Sequence, residues 1–322
     1  MMARSRWAVG LALMAVLVAR TARAWDDFGH MVVAAAAYKR LNATTKQNVA
    51  RLLKLNPRYT NWIVGARKGD EDRMAFMRAA TWADAIKNDP LYQDDAQSLP
   101  AAGQNIGYAD TLRHAYWHYI NQPFSPDHTA LAPAAAPNVA TQIAVLRAAL
   151  AAKSTSDDVK SYDLVWLLHL VGDVHQPLHT VARFDAADRA GDRGGNAVSV
   201  TGNTQPPICD DPRYCPFGPP RDLHAFYDTI LGSGYAVGPP EEEAARLPAP
   251  DAKLAAVRDE AVWLKEGLDL SVGSVYVPPV GIGDGPFTIT PQYQKAAGTL
   301  GKQRMALAAA RLANLLNDAL GK

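Results

Sequence analysis

The stretch His169-Leu170-Val171-Gly172-Asp173-Val174-His175-Gln176-Pro177-Leu178-His179 closes an apolar run, Leu164-Val165-Trp166-Leu167-Leu168-His169-Leu170-Val171. A run this apolar on all sides reads as a buried helix. In such a helix His169 and Asp173, four residues apart, share one face. Pro177 ends the helix, and His179 follows just beyond it. A carboxylate buried alone as a charge is costly, and a cation beside it removes that cost. His224-Ala225-Phe226-Tyr227-Asp228 repeats the pair in a chain with only eight histidines. A single pair is equally well read as a core histidine bonded to an aspartate. Two pairs together with His179 point to metal. Imidazole and carboxylate presented one helical turn apart suit zinc, which takes nitrogen and oxygen ligands at about 2.0–2.2 Å.

Helical periodicity extends in both directions. Residues 29–41 are Ala-rich with helix spacing, and Val139, Ile143, Leu146 and Leu150 form one stripe over 139–152. Residues 162–174, 254–270 and 303–320 read as further helices. Residues 196–200 alternate after Gly194-Gly195, which predicts a short strand and a small β-hairpin near 196–202. Loops dense in Pro, Gly or Asp cover 123–137, 185–195, 201–220, 232–250 and 278–291. The expected fold class is mainly α with that hairpin. Motif residues lie on both sides of each Pro-rich stretch, so residues 25–322 read as one domain rather than two joined near Pro240.

The first 24 residues read as a secretory signal peptide: Arg4 and Arg6, an apolar run over 7–19, then Ala22-Arg23-Ala24. An uncleaved anchor is the alternative, but the run is short for a bilayer span. Cleavage after Ala24 makes Trp25 the new N-terminus and implies a periplasmic or secreted protein without stable membrane association. Arg4, Arg6, Arg20 and Arg23 leave with the leader and no acid does, turning 33 basic and 32 acidic residues into 29 and 32, about −3. That balance excludes a basic nucleic-acid-coating protein. Attraction for a nucleic acid would come mainly from bound metal. Cys209 and Cys215 read as a small disulfide loop in an oxidising compartment; a zinc knuckle would need a second cysteine pair.

The central stretch resembles the corresponding motif of the zinc-dependent single-strand nucleases and 3′-nucleotidases of fungi, plants and bacteria, whose structural cousin is zinc-dependent phospholipase C. Other parts agree in order: Trp25-x4-His30, Thr81-Trp82-Ala83-Asp84-x2-Lys87, Trp117-His118-Tyr119-Ile120, Gly194-Gly195-Asn196, Leu223-His224-x3-Asp228-Thr229 and Arg311-Leu312-Ala313-x-Leu315-Leu316-Asn317. The likeness runs from Trp25 almost to the C-terminus.

Carried over position by position, the resemblance implies three zinc ions. Asp84, His118, His169 and Asp173 would hold the first. The α-amine and carbonyl of Trp25, with His30 and a shared Asp173, would hold the second. His179, His224 and Asp228 would hold the third. An α-amine has a pKa of about 8, so zinc can displace its proton at neutral pH once the leader is cut. The implied reaction is attack of metal-activated water on phosphorus, giving 5′-phosphate products from single-stranded DNA and RNA and inorganic phosphate from 3′-nucleotides. Asp84 would orient the water, Lys87 would neutralise growing charge, and Asn196 would donate a hydrogen bond to the phosphate. Tyr119 and Asn121 stand where fungal relatives carry the Phe and Asp of a base pocket. Tyr can still stack on a base, while Asn offers a donor as well as an acceptor, so altered base preference is expected. Phospholipase C activity and a non-catalytic zinc-binding role are the competing readings. His175 is expected to orient a ligand, His114 is a possible alternative ligand, and His128 is expected to be solvated. A monomer is expected.

Overall fold

The computed structural model describes residues 25–186, 188–208 and 219–322. The expected leader and the expected Cys209–Cys215 loop lie outside the described residues. Twelve α-helices are described: α1 Asp27–Tyr38, α2 Ala43–Leu53, α3 Tyr59–Trp62, α4 Glu71–Ala79, α5 Trp82–Ala85, α6 Val139–Ala151, α7 Asp157–Asp173, α8 Leu223–Asp228, α9 Gly238–Arg246, α10 Ala252–Ala255, α11 Glu260–Leu270 and α12 Pro291–Leu320. Four three-residue strands complete it: β1 Gln122–Phe124, β2 Val181–Arg183, β3 Val200–Gly202 and β4 Phe287–Ile289. The fold is mainly helical, as expected.

Helix α7 is the centre of the packing. Every residue from Ser161 through Asp173 is buried, and α7 contacts α1, α2, α5, α6 and α12. It begins earlier than its apolar run suggests. Ser156 caps it by accepting from the Val159 N–H, and Asp157 and Asp158 sit in the first turn, where acids favour the positive end of the helix. Helix α12 likewise starts at Pro291, with Thr290 as cap and proline at the first helical position. The expected helix over 254–270 is divided: Asp251 caps α10 and Asp259 caps α11.

The expected hairpin near 196–202 is corrected. Strand β3 pairs in parallel with β4, register Val200↔Phe287, and the nearer antiparallel contact is a single bridge, Ser199↔Asp222. Strands β1 and β2 also pair in parallel, Gln122↔Val181. They begin just after His118 and His179, and the Ile120 N–H donates to the His179 carbonyl at 2.8 Å. This pairing holds two chemistry-bearing turns side by side. No helix among the described residues is long and apolar enough to cross a membrane.

Candidate metal centre

Six elements deliver the buried imidazoles and carboxylates to one place. His30 lies in the first turn of α1, Asp84 on α5, His118 at the end of a 3-10 turn over Ala115–His118, and His169 and Asp173 in the last turn of α7. The 3-10 turn Pro177–His179 and helix α8 bring His179 to His224 and Asp228. Three groups result, all buried: His30, Asp84 and His169; His118, His169 and Asp173; His179, His224 and Asp228.

Distances within the first part are those of ligands around one ion. His118 Nδ1 lies 3.0 Å from both Asp173 Oδ2 and His169 Nε2, and His169 Nε2 lies 3.3 Å from Asp173 Oδ2. Asp84 Oδ1 is 3.8 Å from each of the two nitrogens. A tetrahedral zinc with ligands at about 2.0–2.1 Å separates them by about 3.3 Å. The other Asp173 oxygen, Oδ1, lies 3.2 Å from His30 Nε2, so the carboxylate spans two neighbouring positions. His30 stacks on His169 with centroids 3.7 Å apart. Gly172 makes that possible, because a Cβ there would sit 2.9 Å from His30 Nδ1. Trp25 is fully buried, and its indole donates to the Gly172 carbonyl at 3.0 Å, fixing it against the same turn of α7.

Unsatisfied atoms test whether a metal fits. His30 Nδ1 and Nε2, Asp84 Oδ2, His118 Nε2 and Asp173 Oδ1 are buried without a hydrogen-bond partner. Such atoms are rare in folded proteins unless something else satisfies them. The third group is more telling. His179 Nδ1 donates to the His118 carbonyl at 2.8 Å, and His224 Nδ1 donates to the Gly194 carbonyl at 2.7 Å. Neutral imidazole carries one N–H, so both Nε2 atoms present lone pairs, yet they lie 3.0 Å apart. A cation between them turns repulsion into ligation. Asp228 Oδ2 lies 3.5 Å from His224 Nε2, while Gln176 donates to Oδ1 at 2.8 Å and fixes the carboxylate's orientation. The carbonyl bonds to Nδ1 set the tautomers as in known zinc sites.

Electrostatics agree. Burial, reinforced by Lys87 for His118 and by His30 for His169, holds both imidazoles well below the usual range, hence neutral. Burial also pushes Asp173 up to about 7 and Asp228 well above the carboxylate range. Asp84 differs. Burial raises it, but Lys87, the largest influence against burial, holds it below the usual range. Lys87 Nζ donates to Asp84 Oδ1 at 2.6 Å, with both side chains buried. Asp84 and Lys87 meet because the chain tightens into a 3-10 turn over Ile86–Asn88, which eclipses residues three apart.

These shifts set the pH behaviour of the metal-free protein. Burial raises Asp163 to about 7, as it does Asp173. A carboxyl raised on folding contributes stability below about pH 4 that is lost as pH rises through about 7. Zinc must displace protons from its ligands, so its stabilising effect grows over the same interval. Melting temperatures of chelator-treated and zinc-loaded protein are expected to diverge from pH 5 to pH 8. Parallel curves would contradict a metal at Asp173.

The remaining expected residues are placed as follows. Tyr119 is half-buried against the core and Asn121 is exposed, both directly after His118. Asn196 is half-buried, and one of its two amide hydrogens goes to the Arg193 carbonyl at 2.7 Å, across a turn where Gly194 and Gly195 have positive φ. His114 belongs to none of the three groups: its nitrogens lie 2.8 Å from Asp95 and 2.9 Å from Asp110, and its ring stacks on Trp117. His175 donates to the Val171 carbonyl and accepts from Arg311, which pairs with Glu266 through two 2.7 Å bonds. Gln176, Glu266 and Gly172 went unnoticed in the sequence. Only Gln176 carried a signal there, its place between Asp173 and His179. A cavity of about 430 Å³ opens beside Asp84, walled in part by Trp62, Trp82 and Tyr235.

A mainly helical chain with three buried His/Asp groups, meeting beside a charged lysine–aspartate pair and a cavity, defines a candidate metal-dependent hydrolase. The family model described as S1/P1 nuclease matches residues 25–321, and the chain belongs to that family. It is therefore a phosphodiesterase of the nuclease class, with nucleic acid as its substrate class. A search of curated proteins finds no match.

Proposed function

We propose that the protein is an exported, zinc-dependent nuclease that cuts single-stranded DNA and RNA to 5′-phosphate products and also acts as a 3′-nucleotidase. The observation that carries this reading is that the buried His/Asp groups include Asp84, which also lines a cavity. A zinc-storage site would be closed on all sides.

Three zinc ions fit the donors: one with Asp84, His118, His169 and Asp173; one with His30, Asp173 and the amine and carbonyl of Trp25; one with His179, His224 and Asp228. Bound zinc supplies Lewis acidity toward phosphate oxygens and acidifies water. The protein's own groups do the rest. Asp84 Oδ2, the oxygen not engaged by Lys87, orients the attacking water. The Lys87 ammonium neutralises charge growing on the phosphate, a stabilisation that acts in the transition state. The second N–H of Asn196 is free to donate to a phosphate oxygen. Water oxygen bonds to phosphorus, the P–O3′ bond breaks and O3′ takes a proton, leaving a 3′-hydroxyl upstream and a 5′-phosphate downstream. Tyr119 stacks on the upstream base and Asn121 contacts its edge. A duplex resists this because one base must leave the stack.

Export by a signal peptide cleaved after Ala24 completes the reading: it frees the amine of Trp25, whose indole bonds to the carbonyl of Gly172, the residue before Asp173. One domain over 25–322, a monomer, and a Cys209–Cys215 disulfide belong to the same proposal.

The test is a substrate panel for zinc-loaded protein: single-stranded oligonucleotides, 3′-nucleotides, duplex DNA and phosphatidylcholine. Cleavage of the first two is expected. Hydrolysis confined to the phospholipid, or none at all, would overturn the reading. Asn121→Asp is expected to change the relative rates on the four 3′-nucleotides by about 10-fold, the size of one hydrogen-bond difference. Unchanged ratios would remove Asn121 from base recognition.

A further inference from the structure

We propose that the cavity beside Asp84 is the subsite for the nucleoside on the 3′ side of the scissile phosphate. The proposal rests on the nuclease reading above and adds a binding site to it. Tyr119 and Asn121 are assigned to the upstream base, and neither lines this cavity. Asp84 does, and Lys87 bonds to Asp84. A phosphate held at that pair would have one neighbouring nucleoside toward Tyr119 and the other in the cavity.

Size and chemistry suit the assignment. About 430 Å³ lies within the range of small-molecule pockets, about 300–1,000 Å³. Trp62, Trp82 and Tyr235 give it aromatic walls, and the exposed amides of Asn61 and Asn88 offer both donors and acceptors. Stacking of this kind tolerates any base. A second phosphate fits less well. The carboxylates of Asp27, Asp84 and Asp89 outnumber the single guanidinium of Arg58, which is itself paired with Asp89. The cavity is therefore suited to a neutral base and sugar, with the phosphate left at its Asp84 end.

The cut leaves the phosphate on the downstream nucleoside. A 3′-nucleotide has no downstream nucleoside, so it does not need this cavity, whereas an oligonucleotide does. Two variants test this. Tyr235→Ala removes one aromatic wall, and Asn61→Trp introduces a bulky ring from an exposed wall position. In both, the KM for a single-stranded oligonucleotide is expected to rise about tenfold, the lower part of the range for one stacked base. Turnover of a 3′-nucleotide is expected to stay within about twofold of wild type. Affinity for a 5′-mononucleotide, measured by calorimetry, is expected to fall with the oligonucleotide KM. If both variants keep wild-type KM and wild-type 5′-nucleotide affinity while the enzyme cuts both substrates, the subsite is wrong and the nuclease reading stands. Equal losses on the oligonucleotide and the 3′-nucleotide also overturn it, because the damage is then to the centre. Wild-type protein that cuts neither substrate removes the nuclease reading and the subsite with it.

Discussion

Asp173→Asn is expected to lower single-strand cleavage by about 10³-fold or more and to reduce bound zinc from three ions to one. Asp173 offers Oδ2 to His118 and His169 and Oδ1 to His30. Asparagine keeps the shape but loses the charge and one of the two acceptor oxygens. Two positions then lose a ligand together, and removing metal-based charge stabilisation costs several kcal/mol of barrier, at about tenfold per 1.4 kcal/mol. The group of His179, His224 and Asp228 keeps its ion, because none of its atoms depends on Asp173. The metal-free protein is expected to respond in the opposite direction. Burial raises Asp173 to about 7, so at pH 8 the charged carboxylate destabilises the empty fold, and asparagine removes that cost. A variant that melts higher without zinc and loses zinc and activity would establish a metal-linked carboxylate. A variant that keeps three ions would refute the shared position.

Lys87→Met is expected to lower kcat on both oligonucleotides and 3′-nucleotides by about 10²–10³-fold with three ions still bound. The side chain is almost fully buried, and its ammonium lies 2.6 Å from Asp84. Burial alone would raise Asp84, and Lys87 is the largest influence against that. In a zinc-loaded centre the metal would hold the carboxylate charged, so removing Lys87 would subtract charge near the phosphate rather than a ligand. Methionine fills the space of the lysine stem, which limits the loss of packing. Zinc measured by elemental analysis beside kcat separates the two roles. Loss of metal in proportion to activity would make Lys87 a support of Asp84 instead.

Much of the candidate centre was legible because its histidines and aspartates come in local patterns. His169 with Asp173 and His224 with Asp228 lie one turn apart on helices α7 and α8, and Pro177 marks the stop before His179. The same pattern left His114 open as an alternative ligand. Its four-residue spacing to His118 mimics a ligand pair, but that geometry needs a continuous helix. His114 instead has φ 45° and precedes a 3-10 turn that begins at Ala115, so its ring faces Asp95 and Asp110. Helix starts were missed where polar caps precede the apolar stripe, as at Ser156 and Thr290. The parallel pairing of Val200–Gly202 with Phe287–Ile289 was illegible, because three residues carry almost no periodicity and the partner is far along the chain. The cavity beside Asp84 combines residues from α3, α5 and the Tyr235 loop, a convergence no local spacing reveals.

The most direct measurement is zinc content and single-stranded DNA hydrolysis of two preparations, one beginning at Trp25 and one with a single residue left before it. Three zinc ions and cleavage are expected in the first, with the ion at Trp25 and most of the rate lost in the second. Equal metal and equal rate in both would contradict the Trp25 ligand, and fewer than three ions in the first would contradict the trinuclear centre itself.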